Sequence, residues 1–77
     1  MLAGVGREPH SMTVEIEREE DGRWLAEVVE LPGALAYGPS REAAAAHAKA
    51  LALRVIADRL EHGEEVPDIA PLFAEAA

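Results

Sequence analysis

A chain of 77 residues with seven Lys/Arg against fifteen Asp/Glu is one small acidic domain of formal charge −8, too short for a second domain. Apolar residues make up 49% of it, too many for a disordered acidic tail, and the lack of cysteine removes disulfide frameworks, thiolate zinc sites and thiol catalysis. No apolar run approaches the ~20 residues of a membrane span, and the first residues lack the basic start and apolar stretch of a secretory signal, so a cytoplasmic protein is expected.

Gly4, Gly6 and Pro9 break any period in residues 1–11, which read as a flexible tail. Met12 is a candidate natural start, in which case the preceding residues are read as a cloning remnant or an upstream start. From Met12 the pattern alternates: Met12, Val14 and Ile16 point one way, while Thr13, Glu15 and Glu17 point the other. Asp21-Gly22 is a strong hairpin signal, since glycine takes positive φ without steric cost. The returning strand runs from about Arg23 to Val29, with Trp24, Ala26 and Val28 on one face and Leu25, Glu27 and Val29 on the other. Leu31-Pro32-Gly33 closes it, because Pro32 pre-sets φ and Gly33 supplies the positive φ of a type II turn. A short third strand, Ala34–Tyr37, is stopped by Gly38-Pro39.

Ser40 is a good N-cap, and the helix behind it runs from Arg41 to about His62, with Gly63 placed for a C-terminal cap. Ala46, Ala50, Leu53, Ala57 and Leu60 recur at spacings of four and three and predict the core-facing stripe, widened by Leu51, Val55 and Ile56. His47, Arg54, Asp58 and Glu61 then fall outside. Pro67 ends the domain, residues 12–67, and Pro71 splits residues 68–77, a short tail or weak fourth strand in which Ile69, Leu72 and Phe73 could dock. The fold class expected is α+β: a three-stranded antiparallel meander with one long helix packed on one face, and a candidate short fourth strand. An alanine-rich core is thin, since a domain this small buries only ~60% of its unfolded surface. With an open edge at Met12–Glu19, a homo-oligomer, most simply a twofold dimer, is expected.

This order of hairpin, Leu-Pro-Gly turn, short strand and capped helix resembles the N-terminal domain of the HicB family of antitoxins. The resemblance is carried by Glu19–Trp24, Glu30–Gly33, Tyr37-Gly38, Ser40–Ala43, Leu51–Leu60 and Gly63–Pro67, and spans Met12 to Pro67, about three-quarters of the chain. It implies a partial ribonuclease-H-like β-β-β-α-β fold without nuclease chemistry. It also implies a partner, a HicA toxin, which is a small basic RNA-cleaving protein. Family antitoxins usually add a C-terminal DNA-binding module, for which the residues after Pro67 are too few.

The residues themselves argue against catalysis. Glu15, Glu17 and Glu19 share a strand face without apolar neighbours, as on a solvated or partner-facing surface, and Glu27 and Glu30 offer no better metal site. His47 and His62 lie over four helical turns apart, roughly 22 Å, too far to share a metal ion. Ser40 is explained as a cap, and Gly4-Val5-Gly6 lacks the flanking strand and helix of a phosphate loop. No enzyme, cofactor or metal is expected. Arg41, Lys49, Arg54 and Arg59 are scattered over the helix rather than striped, so no nucleic-acid face is expected either. Trp24 reads as a core anchor, and Tyr37 as either a core edge or an interface anchor. The candidate partner-binding residues are therefore Glu15, Glu17, Glu19, Glu27 and Tyr37, facing a basic HicA-type toxin that they would mask sterically and electrostatically. The alternative is a stand-alone self-assembling or small-ligand-binding module of the same fold, without a toxin.

Overall fold

The computed structural model describes residues 12–67 and Phe73. Four elements follow in order: β1 (Val14–Arg18), β2 (Trp24–Val28), β3 (Leu35–Gly38) and α1 (Arg41–Glu61). The strands form one antiparallel sheet in the order β1-β2-β3, and α1 crosses one face of it, touching all three strands. This is the α+β meander-and-helix architecture that the alternation and the change of period at Ser40 predict.

Pairing of Val14 with Val28 and of Ile16 with Ala26 puts the apolar set of the first hairpin toward α1. The loop is three residues long. Gly22 N–H donates to the Glu19 carbonyl (3.0 Å), Glu19 N–H donates to the Arg23 carbonyl (2.7 Å), and Gly22 takes φ +92°. Asp21 keeps a negative φ, so this is a type I turn closed by a glycine bulge, rather than a two-residue turn with both centres at positive φ.

The second connection begins one residue earlier than expected. β2 stops at Val28, and Val29 leaves the strand for a turn in which Leu31 N–H donates to the Val28 carbonyl (3.0 Å). Ala34 N–H then donates to the Leu31 carbonyl (2.9 Å) across Pro32-Gly33, with Gly33 at φ +94°. This double turn drives the Leu31 side chain into the core, where it is 1% exposed. β3 is shifted by one residue, to Leu35–Gly38.

Glu30 ties the connection to the start of the sheet. Its carboxylate accepts from both Thr13 N–H (2.8 Å) and the Thr13 hydroxyl (2.9 Å), while Val29 N–H donates to the Thr13 carbonyl (2.9 Å). Hydrogen bonds to a charged acceptor are worth about 1.5–3 kcal/mol when part-buried. Glu30→Ala is expected to lower the urea midpoint by the equivalent of about 1.5 kcal/mol without changing the m-value. Equilibrium unfolding checks this, and Thr13→Val should cost less, because the backbone donor remains.

Both helix ends are closed as the sequence predicts. The Ser40 Oγ accepts from Ala43 N–H (3.0 Å). At the other end Glu64 N–H donates to the Arg59 carbonyl (2.8 Å) and Gly63 N–H to the Leu60 carbonyl (3.2 Å), with Gly63 at φ +68°, a Schellman cap. The face that α1 buries differs from expectation. Ala44, Ala48, Ala52 and Ile56 are buried against Ala26, Val28, Leu31 and Ala34, with Val55 alongside, whereas Ala46, Leu53, Ala57 and Leu60 are exposed. The buried row stays small for three turns, which suits the close approach of helix to sheet. A Cβ built on Gly38 would lie 2.5 Å from the Ala44 backbone nitrogen, so only small side chains fit between the layers there.

Beyond the helix, Val66 packs on the core. The tail expected at residues 1–11 lies outside the described residues, as do Ile69 and Leu72 of the candidate fourth strand; Phe73 is exposed and belongs to no strand.

Candidate partner-binding face

The sheet face turned away from α1 is built by the alternate residues of the three strands. In register, Glu15 stands opposite Glu27 and Glu27 opposite Leu35; Glu17 stands opposite Leu25 and Leu25 opposite Tyr37. The face is thus divided. Its β1 side is acidic, its β3 side is apolar, and β2 contributes one residue of each kind. Glu15 and Glu27 form a directly opposed like-charge pair, which disfavours the sheet unless a cation intervenes. An open, shallow depression is lined by Glu15, Ile16, Glu17, Leu25 and Glu27. Glu19 lies past the end of β1 and joins a second depression with Glu17, Arg18, Glu20 and Asp21 at the hairpin tip.

Tyr37 is 42% exposed and Leu35 41%, so the expectation for Tyr37 resolves to an outward position. The Arg23 guanidinium sits 4.2 Å from the Tyr37 ring centroid, a cation–π contact. Asp21 fixes that arginine: one carboxylate oxygen accepts from Arg23 N–H (3.0 Å) and the other pairs with Arg23 Nε (2.7 Å). These bonds, the backbone one first, hold the Asp21 carboxyl below its ordinary pKa. Beneath the ring, the Tyr37 carbonyl accepts from His47 Nδ1–H at 3.2 Å. Trp24 takes the opposite side of the sheet, half-buried against the core, with the Arg18 and Arg41 guanidinium groups each 5.9 Å from its ring.

No family model, curated protein or solved structure matches the chain. What the face can do is therefore set by its own chemistry. Glu15, Glu17, Glu27 and Tyr37 are brought onto one surface, while Glu19 stands at its rim. Glu30, also weighed as a carboxylate for chemistry, is occupied by Thr13. The charge pattern of the sequence did not bring out Leu25, Leu35 and Arg23. The alternation of Ala34 and Ala36 toward the helix was a signal that Leu35 and Tyr37 point outward. Among the described residues no three His, Asp or Glu side chains gather as metal ligands, and His62 is engaged by the Asp58 carbonyl at 2.7 Å. No helix among them is long and apolar enough to cross a membrane.

Proposed function

We propose that the chain is a HicB-type antitoxin that neutralises a small basic RNA-cleaving toxin of the HicA type by covering its RNA-holding surface. The observation that carries this reading is the divided outer face. Carboxylates already opposed to one another at Glu15 and Glu27 gain from any cation placed between them, and the Leu25–Leu35–Tyr37 half supplies apolar area that a partner can desolvate. The toxin would be drawn in by charge and held by the apolar half. Its RNA would be excluded because the same basic surface is occupied. The order of elements and the Leu-Pro-Gly connection support the family, the antitoxin needs no catalytic residue, and its compartment is the cytoplasm in which such a toxin cleaves RNA.

The test is to look beside the gene for a short basic HicA-type protein and to titrate the chain with it, followed by fluorescence and by protection of a substrate RNA. Complementary charges accelerate encounter and are screened over about 8–10 Å at physiological salt. Binding should therefore weaken by about tenfold or more from low to moderate salt, mostly in the association rate. No binding at low salt, or RNA cleavage undiminished by excess chain, overturns the reading.

A further inference from the structure

α1 carries a second apolar stripe that the sheet leaves bare. Ala46, Ala50, Leu53, Ala57 and Leu60 recur at four, three, four and three, two turns of a heptad with Ala50 and Ala57 at a and Ala46, Leu53 and Leu60 at d. At 3.6 residues per turn this stripe lies roughly 140° around the helix from the buried row Ala44–Ile56. Leu53 is 52% exposed and Leu60 49%. Solvent-facing leucines in a heptad register, on a helix already anchored by its other side, are a coiled-coil seam without its second strand.

We propose that the seam is occupied by α1 of a second copy of this chain, running antiparallel about a twofold axis. Charge and size both select that occupant and that direction. Antiparallel pairing sets each a residue against a d residue of the other helix, so Ala50 meets Leu60 of the second copy and Ala57 meets its Leu53. Every such layer then holds one small and one large side chain, as close packing requires. Parallel pairing stacks alanine on alanine, leaving a void, and leucine on leucine. The flanking charges agree. In a parallel pair Lys49 would approach Arg54 of the second copy; in the antiparallel pair the two Arg54 side chains meet near the axis, each flanked by Asp58 and Glu61 of the other helix, all of them exposed. The twofold axis makes each contact twice. The paired length, Ala50 to Leu60, is about 15 Å, so weak association, micromolar to millimolar, is expected rather than an obligate dimer. The outer sheet face stays free in this pair, so the inference stands whether or not a toxin binds there.

The test is sedimentation of the full chain from micromolar to millimolar concentration. The mass should rise from 8.2 kDa to twice that value. Leu53→Lys/Leu60→Lys should remain at the monomer mass with an unchanged helical circular-dichroism signal, since both positions are exposed. Direction is read by cross-linking, which the absence of native cysteine makes clean. Ala50→Cys mixed with Leu60→Cys should give a disulfide-linked dimer under mild oxidation, and Leu60→Cys alone should not. A wild-type monomer throughout, a dimer that survives the double lysine variant, or efficient cross-linking of Leu60→Cys alone would each overturn the proposal.

Discussion

Gly38→Ala is expected to destabilise the domain by about 3 kcal/mol, at the upper end of ordinary overpacking. For a domain of this size that is a fall of roughly 12–24 °C in Tm. The added methyl would sit 2.5 Å from Ala44 N, 2.9 Å from Ala43 C and 2.9 Å from Ala44 Cα. All three are backbone atoms in the first turns of α1, so no rotamer change relieves the clash; the helix start must lift off β3. The Ser40 cap is part of what would move. Total stability at this length is roughly 4–12 kcal/mol, so a large share is at risk. Thermal and urea unfolding of the variant check this, with Leu35→Ala, an exposed change in the same strand, as the near-silent comparison. Ala44→Gly added to Gly38→Ala should bring no rescue, because the obstructing atoms are not in the Ala44 side chain. A Tm within a few degrees of wild type would show that the layers can separate freely.

If the chain acts as proposed, Glu15→Lys/Glu17→Lys/Glu27→Lys should fold normally and lose at least a hundredfold in affinity for a HicA-type toxin. Glu15 and Glu17 are exposed and Glu27 is half-buried on the same open face; surface substitutions usually move stability by under about 0.5 kcal/mol each, and removing the Glu15–Glu27 opposition in favour of two lysines merely exchanges one like-charge pair for another. In the complex, by contrast, lysines would face the basic surface of the toxin, a penalty of several kcal/mol where contacts are desolvated. The comparison protein is Glu42→Lys/Glu64→Lys/Glu65→Lys. Both variants move the formal charge from −8 to −2, two units per substitution, but the second leaves the sheet face untouched. Equal losses would mean that net charge alone governs binding; a loss confined to the second would move the toxin-binding surface to the helix ends.

Reading the chain from its residues recovers the elements better than their orientation. The hairpin, the Leu-Pro-Gly turn and both helix caps follow from backbone chemistry local to a few residues, and they stand within a residue of expectation. The buried face of α1 could not be read the same way. The run Ala43–Ala46 with Ala48, Ala50 and Ala52 offers apolar residues in nearly every direction, so the leucines dominate any periodic pattern. Leu53 and Leu60 mark the outer side, whereas the buried row is the one that stays small beside Gly38. That constraint is tertiary: it comes from how closely two backbones meet, which residue spacing does not encode. At the candidate site, alternation correctly turned the glutamates outward, but the apolar half of the face depends on the register of β3, which the double turn at Leu31–Ala34 sets.

The alanine row between helix and sheet also shapes how the fold responds to temperature. Alanine has no side-chain torsion to freeze, so Ala44, Ala48 and Ala52 reach the interior with none of the ~0.5–1 kcal/mol rotamer-entropy loss of a buried leucine. They also remove little hydrocarbon surface from water. Since the heat-capacity change of unfolding grows with apolar surface exposed, it should fall below the usual ~12–15 cal/mol/K per residue. The stability curve should be correspondingly flat. A shallow dome of this kind lets a modestly stable domain hold nearly the same folded fraction over a wide span of temperatures, with cold as well as heat acting on it only weakly.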